Sequence, residues 1–279
     1  MSALAYRSRS GADGRRSSSS ARSALSKTFP GQRAATAAER RRARTLAVVA
    51  GLMVVVVAAV LLVIGVLSLF CARRLYARVA RDLSRGILSL YGIRLRVHQT
   101  APFPRTQTVY ISNHTSTLDL FVLVALGLPN CRFFLSGFLR RIPPLGVIAT
   151  MMGTFFTVPQ DRPAERTRIF QRAERILRRT RESVYLSPEG GRIAGGGIGH
   201  FNKGAFHLAT NLEVPIVPMY IRIPPHVDPG LGYDARPGTI DVHVLPAIDT
   251  TTWQVANLIR NKEHVRETLL RFHQELTCR

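Results

Sequence analysis

A histidine and an aspartate stand five residues apart, where an apolar strand-like run gives way to an apolar helix-like run. The strand-like run 109–111 leads into His114, and the helix-like segment begins around Asp119. Residues five apart on one continuous helix point about 140° away from each other, so the two side chains can meet only if the chain turns between them. A carboxylate that holds an imidazole is the arrangement of a general base and its orienting acid.

The aspartate also has a purely structural interpretation. Ser116 followed three residues later by Asp119 matches an S-x-x-D helix start, in which the carboxylate accepts hydrogen bonds from backbone amides. The two interpretations are compatible, because the helix N-terminus that binds Asp119 would also keep it ionised. The motif alone leaves both open.

The charge of the whole chain indicates an anionic partner. Its 279 residues carry a net charge of +22 with a pI near 11.5, which points to nucleic acid, anionic lipid or a phosphorylated substrate. Nucleic acid is disfavoured, because the arginines are not combined with an aromatic stacking surface or a known reading module. Three widely separated cysteines offer neither a zinc site nor a disulfide framework, and we expect no metal.

The N-terminal part of the chain is predicted to attach it to a membrane. Residues 1–44 are rich in Ser, Ala, Gly and Arg, and they predict a disordered basic tail, either drawn to anionic headgroups or simply solvated. Residues 45–72 predict a transmembrane or membrane-dipping anchor, since 26 consecutive residues from 45 to 70 are uncharged. A buried core helix is the alternative. A straight helix of about 39 Å exceeds the hydrocarbon core of about 30 Å, so we expect tilt or a bend near Gly51 or Gly65.

The positive charges that flank this anchor do not decide its topology. Residues 25–44 carry six Lys or Arg and residues 73–92 carry five, which is nearly a tie under the positive-inside rule. Either a single N-terminal span or a re-entrant anchor is therefore possible, and a re-entrant anchor would leave both basic flanks on one side. We place the catalytic region on the cytoplasmic face.

The remaining chain predicts an α/β fold with a mixed sheet flanked by helices. Residues 73–98 predict an interfacial amphipathic helix followed by a short strand. In residues 99–279 strand-like and helix-like runs alternate, as in an α/β core. Strands are predicted near 109–111, 131–135, 153–158, 184–186, 214–223 and 239–245, and helices over 163–182, 204–212 and 253–276. Pro143 and Pro144 predict a turn.

Three motifs in order resemble the glycerophospholipid acyltransferases of the 1-acylglycerol-3-phosphate acyltransferase type. They are the histidine motif 114–119, the stretch P-E-G-G-R at 188–192 with F-N-K-G at 201–204, and V-P-I-V-P at 214–218. The resemblance covers residues 75–277. It identifies residues 99–279 as an acyltransferase catalytic domain, preceded by a membrane anchor.

The resemblance implies transfer of an acyl group from a thioester to the free hydroxyl of a lysophospholipid. The donor would be acyl-CoA or an acyl-carrier protein, which is a substrate, and no cofactor is implied. His114 would be the general base and Asp119 its orienting acid. No covalent acyl-enzyme is needed, since the chain has no G-x-S-x-G motif.

The same resemblance implies a phosphate-binding half of the site. Arg192 would grip the phosphate with two parallel hydrogen bonds. The other residues expected to bind substrate are Glu189, Gly190, Lys203, Arg162 and Asn113. As an alternative, E-G-G-R is only a flexible turn with a surface ion pair.

Two positions depart from the family pattern and leave alternatives open. Gly191 stands where the family commonly has Thr, and Arg162 comes three residues late after the G-x-x-F stretch that ends at Phe156. Another lyso-lipid or glycerol 3-phosphate could therefore be the acceptor. A non-enzymatic basic membrane protein that binds anionic lipid is the alternative from a different class. The arginine-rich run 162–181 predicts a solvated helix face, although it could instead dock an acidic carrier protein or anionic lipid.

Overall fold

The computed structural model describes residues 36–193, 197–228 and 235–278. These residues form seven α-helices and seven strands. The helices are α1 (Ala37–Leu67), α2 (Arg73–Leu90), α3 (Leu118–Leu126), α4 (Pro143–Met151), α5 (Pro163–Thr180), α6 (Gly204–Leu212) and α7 (Leu258–Thr277). The strands are β1 (Ile93–Gln99), β2 (Val109–Ser112), β3 (Cys131–Ser136), β4 (Phe155–Thr157), β5 (Ser183–Tyr185), β6 (Ile216–Arg222) and β7 (Gly238–Val244).

The seven strands form one mixed sheet in the order β1-β7-β6-β2-β5-β3-β4. Strands β6, β2, β5, β3 and β4 are mutually parallel, and β7 is antiparallel to β6. Among the described strands, β1 pairs with β7 alone, in parallel. The mixed α/β sheet predicted from the sequence is confirmed. Because β2 and β5 are parallel neighbours, their carboxyl ends and the loops that follow them meet at one edge of the sheet.

Helices cover both faces of the sheet. The side chains of each strand alternate between the two faces, so each face has its own hydrophobic core. In β2, Tyr110 faces the layer formed by α1, α2, α3 and α4, whereas Val109 and Ile111 face the layer formed by α5, α6 and α7. We call these the α1 layer and the α5 layer. The two layers lie on opposite faces of the sheet, since side chains alternate along a strand.

Helix α1 is the described helix long and apolar enough to cross a membrane, by length and composition. It is continuous from Ala37 to Leu67, with no break at the expected bend positions. The prediction that 1–44 is a disordered tail is wrong for residues 37–44, while residues 1–35 lie outside the described part. The helix starts early because Thr36 and Glu39 form a capping box, which satisfies two backbone donors that apolar periodicity does not report.

Helix α2 turns back and runs antiparallel to α1. The Ser68 hydroxyl lies 2.6 Å from the Tyr76 hydroxyl near the turn, and Met53 lies against Gly86 at the far end of α2. A narrow stripe of α1 packs on the domain through Val54, Ala58, Leu61 and Gly65. The opposite face exposes large apolar side chains, namely Val48, Leu52, Val55, Val56, Val60, Val63 and Val66.

The apolar face of α2 is covered by protein rather than left free for a membrane. Leu83 and Ile87, which we predicted to lie at a membrane interface, are buried in the core of the α1 layer. A 3.6-residue period reveals an apolar face but does not tell whether lipid or protein covers it. The position of α2 relative to a membrane stays a prediction.

Most other helices and strands lie within a few residues of their predicted positions. The turn predicted at Pro143 and Pro144 is wrong, because these residues begin α4. Proline is favoured in the first turn of a helix, where its missing N–H is not needed. The C-terminal helix begins at Leu258 rather than 253, after a short 3-10 turn, Val255–Asn257.

Candidate active site

His114 follows the carboxyl end of β2, and its imidazole is held by Asp119 in the first turn of α3. The Nδ1 atom of His114 lies 2.7 Å from Oδ2 of Asp119. The histidine side chain is 32% exposed and the aspartate side chain 1% exposed. A carboxylate that accepts a hydrogen bond from Nδ1 favours the imidazole tautomer with its proton on Nδ1. Nε2 is then the nitrogen that can accept a proton. The contact predicted from the five-residue spacing is therefore present.

Asp119 also caps the start of the helix, so the contact with His114 and the cap are both present. The general-base role stays a prediction. The same Oδ2 atom accepts hydrogen bonds from the backbone amides of Thr115 and Ser116, at 2.8 and 2.9 Å. One carboxylate oxygen thus lies within hydrogen-bond distance of two backbone amides and the imidazole, which holds Asp119 in place beside His114. The other oxygen, Oδ1, is buried without a hydrogen-bond partner among the described residues.

The Glu189 carboxylate positions the loop that carries His114 through hydrogen bonds to backbone amides. Its Oε2 accepts a hydrogen bond from the backbone N–H of His114 at 2.6 Å, and its Oε1 accepts one from Gly199 N–H at 2.7 Å. The residue is 6% exposed. Burial raises the pKa of its carboxyl above the ordinary value, and the two amide hydrogen bonds work against that rise. Both carboxylate oxygens of Glu189 thus accept hydrogen bonds from backbone amides, and its predicted contact with substrate stays a prediction.

Gly190 adopts a backbone conformation that suits glycine. Its φ is +68°, and a Cβ there would lie 2.7 Å from the side-chain nitrogen of Asn202. That nitrogen donates to the carbonyls of Pro188 and Glu189 at 3.0 and 3.1 Å. The turn after β5 therefore depends on Gly190 and Asn202 together.

Arg192 lies beside the histidine loop with its guanidinium exposed. Its Nη1 donates to the Thr117 hydroxyl at 3.3 Å, and the next residue, Ile193, donates its N–H to the carbonyl of His114 at 2.8 Å. The E-G-G-R stretch and the following Ile193 thus contact the histidine loop at three points. Among the described residues, this guanidinium is held by one long hydrogen bond to the histidine loop, so it is available to bind an anion.

The other three predicted substrate ligands are placed differently. Asn113 is buried, and its side-chain amide exchanges two hydrogen bonds with the backbone of Ile221, at 3.0 and 2.8 Å. It therefore fastens the loop to β6, and its predicted contact with substrate stays a prediction. Lys203 is exposed at the start of α6, and Arg162 is exposed with Glu165 at 3.6 Å. Neither makes a described contact with His114 or Arg192, and their roles stay predictions.

Several residues of the site were missed because they come from distant segments. Tyr185 donates or accepts a 2.8 Å hydrogen bond with Ser112 beneath the loop, and burial raises the pKa of its hydroxyl well above the ordinary value. Asp228 contacts the Ser116 hydroxyl. Gln160 lies beside Gly190. Pairing of β2 with β5 brings the first of these into place, and no local motif signals any of them.

The described residues contain no group of three or more His, Cys, Asp and Glu side chains that could hold a metal ion. The arrangement contains a partly exposed imidazole, the buried carboxylate that contacts it and an exposed guanidinium. It is suited to deprotonating a hydroxyl on a molecule that also carries an anionic group.

Comparison with known proteins identifies relatives of one kind. The family model described as Acyltransferase matches residues 94–222. The chain is 30% identical over 204 residues to 1-acyl-sn-glycerol-3-phosphate acyltransferase beta of Homo sapiens, covering 70% of this chain and 73% of that protein. It is 34% identical over 138 residues to the chloroplastic 1-acyl-sn-glycerol-3-phosphate acyltransferase LPAT1 of Arabidopsis thaliana, covering 49% of this chain and 37% of that protein.

A solved structure shares the fold. It is the crystal structure of the 1-acyl-sn-glycerophosphate (LPA) acyltransferase PlsC from Thermotoga maritima, with a TM-score of 0.70 and 18% identity. The similarity covers 86% of this chain and 98% of that chain. The fold described above is therefore shared with that protein.

Proposed function

Because this chain belongs to the 1-acyl-sn-glycerol-3-phosphate acyltransferase family, we propose that it moves a fatty acyl group from a thioester to the free hydroxyl of 1-acylglycerol 3-phosphate. The product is phosphatidic acid. The observation that carries this proposal is the 2.7 Å contact between His114 and Asp119, with Arg192 held at the same loop.

The proposed reaction uses His114 as a base and then as an acid. Nε2 takes the proton of the acceptor hydroxyl while the hydroxyl oxygen attacks the thioester carbonyl. The imidazolium that forms is stabilised by ionised Asp119. When the tetrahedral intermediate collapses, the carbon–sulfur bond breaks and Nε2 returns the proton to the leaving thiolate. One ester forms and one thiol is released, with no covalent acyl-enzyme.

The acceptor phosphate is assigned to Arg192. A guanidinium can bind two phosphate oxygens in parallel, and the phosphate would offer a better partner than the 3.3 Å contact to Thr117. Glu189 and Gly190 act indirectly, since they shape the turn that carries Arg192. This division of roles supports a phosphate-bearing acceptor over a neutral one.

We also propose that α1 attaches the enzyme to one face of the membrane, as a re-entrant anchor. Only a narrow stripe of α1 packs on the domain, and the opposite face exposes valines and leucines. On the same layer, Arg73, Arg74, Arg78 and Arg81 line a cavity of about 250 Å³ between α2, α3 and β3. Insertion of the apolar face of α1 beside these arginines is suited to a bilayer with anionic lipids. We place the domain on the cytoplasmic face.

The test is an acyl-transfer assay on purified protein, with acyl-CoA and acyl-carrier protein as donors. His114→Ala should lower the rate by about 10²-fold or more, because the general base is lost. Its circular dichroism and vesicle binding should be unchanged. Exposed His200 provides the matched control, and His200→Ala should retain the wild-type rate.

The same assay separates the alternatives through its acceptors. Transfer to 1-acylglycerol 3-phosphate should exceed transfer to glycerol 3-phosphate and to a lyso-lipid without phosphate. If another acceptor is used faster, that acceptor replaces 1-acylglycerol 3-phosphate as the proposed substrate. Full turnover by His114→Ala would reject the mechanism, and no transfer by the wild type with either donor would favour a lipid-binding protein that is not an enzyme.

A further inference from the structure

Four arginines form a continuous exposed stripe along α5. Their spacings of four, three and four residues place them within about 40° of one direction around the helix, over a length of about 16 Å. All four are exposed, and none forms an ion pair or a side-chain hydrogen bond with any described residue. They are Arg168, Arg172, Arg175 and Arg179. We call this set the arginine stripe.

The acidic residues of α5 do not neutralise the stripe. Glu165 lies 3.6 Å from Arg162, and Glu174 contacts Arg178 at 3.2 Å and Asn211 at 2.8 Å. Like charges four residues apart on a helix repel and destabilise it slightly. The four aligned, unpaired arginines therefore destabilise α5 slightly in the free protein. Binding of an anionic partner would remove this repulsion.

The stripe faces away from the proposed membrane anchor. Ala173 and Leu177 pack α5 into the core of the α5 layer, whereas the exposed apolar face of α1 belongs to the opposite layer. A flat bilayer that receives α1 cannot at the same time cover the outer surface of α5. The position thus favours a soluble acidic macromolecule over lipid.

The N-terminal end of α5 lies at the edge of the sheet that carries the active site. Helix α5 begins just after the carboxyl end of β4, which lies at the same edge of the sheet as the carboxyl end of β2. In the connecting loop, Gln160 lies beside Gly190, and Arg166 donates to the carbonyl of Val158 at 3.0 Å. A partner along the stripe would therefore have its leading end close to the turn that carries Arg192.

We propose that the arginine stripe docks an acidic carrier protein that delivers the acyl thioester on a flexible arm. This rests on the proposed function and names the partner that supplies its donor. A row of charges about 16 Å long fits an acidic helix on a protein surface, while the compact phosphates of acyl-CoA would engage at most one end. The acyl arm then reaches His114 from the catalytic edge of the sheet.

The experiment compares two variants that each remove four positive charges. The stripe variant changes Arg168, Arg172, Arg175 and Arg179 to Gln, and the control variant changes exposed Arg94, Arg105, Arg260 and Arg271 to Gln. With full-length protein in detergent, KM is measured for an acyl-carrier protein and for acyl-CoA that bear the same acyl chain. The Kd for the carrier protein is measured separately by fluorescence anisotropy, without turnover, and binding to vesicles that contain anionic lipid is measured by co-sedimentation.

The stripe variant should raise KM and Kd for the carrier protein by about tenfold or more, since each exposed pair contributes a fraction of a kcal/mol. Its kcat and its KM for acyl-CoA should stay within about twofold. The proposal is overturned if both donors are affected equally, if the control variant behaves like the stripe variant, or if only binding to anionic vesicles is lost. A wild type that binds the carrier protein but transfers from neither donor would contradict the proposed function and leave the docking surface supported.

Discussion

At the scale of single residues, the site is a set of side chains that mostly bind backbone. Asp119 holds His114 and also accepts the amides of Thr115 and Ser116. The sequence predicted the first contact and the cap, because spacing and helix geometry constrain both. It did not predict that the Glu189 carboxylate would accept a hydrogen bond from the His114 amide, since a motif does not tell where a carboxylate points.

Glu189→Gln tests this positioning role. Gln keeps one acceptor oxygen but presents an NH₂ group to the second amide, so one of the two hydrogen bonds becomes a donor–donor contact. We expect kcat to fall by about tenfold to a hundredfold, as for loss of a hydrogen bond to a charged group. The KM for the acceptor should change little, and a rise in KM with unchanged kcat would instead make Glu189 a substrate ligand.

The same variant carries a prediction for stability against pH. Burial raises the folded-state pKa of Glu189, so the folded protein binds this proton more tightly than the unfolded chain. Its contribution to the free energy of unfolding is therefore present in acid and is lost as pH rises through the raised pKa. Unfolding in denaturant from about pH 4 to about pH 8 should show wild type losing stability relative to Glu189→Gln. A constant difference would contradict the prediction.

At the scale of helices and strands, one buried carboxylate joins the α1 layer to the sheet. Glu182, just before β5, contacts Arg73 at the start of α2 and Arg132 in β3. Its side chain is 8% exposed, and the arginines are 19% and 16% exposed. Sequence patterns place α2, β3 and β5 individually but give no sign of this junction, because its members are about 50 residues or more apart.

Glu182→Ala should destabilise the fold by about 3 kcal/mol or more, because two largely buried guanidinium groups lose their counter-charge. Glu165 is the matched control, since it lies 3.6 Å from Arg162 with both side chains at least half exposed. Glu165→Ala should change stability by less than about 1 kcal/mol. Chemical denaturation of both variants in detergent checks this, and equal losses would show that burial does not set the cost.

At the scale of the whole molecule, two surfaces of opposite character lie on opposite layers. The α1 layer presents exposed valines and leucines, and the α5 layer presents the arginine stripe. Composition alone gave a basic chain with an apolar segment, and it could not separate these surfaces. Each surface can be assigned to its layer only once the side chains of β2 and β6 are seen to alternate between the α1 layer and the α5 layer.

A re-entrant α1 predicts that both ends of the described chain lie on one side of the membrane. In a background with Cys71→Ser and Cys131→Ala, one protein carries Thr36→Cys with Cys278→Ser, and the other keeps exposed Cys278. A membrane-impermeant maleimide, applied to intact cells and to inverted vesicles, should label both thiols from the same face. Labelling from opposite faces would mean that α1 spans the bilayer.

The pairing of β1 with β7, its one partner among the described strands, has a consequence for how the protein is made. β1 follows the α1–α2 hairpin directly, yet its partner residues, Gly238–Val244, are synthesised about 145 residues later. The ribosome therefore exposes the apolar hairpin long before the sheet can close, and contacts so distant in sequence form slowly. Membrane insertion of α1 during translation would remove that apolar surface from water while the edge strand waits for its partner.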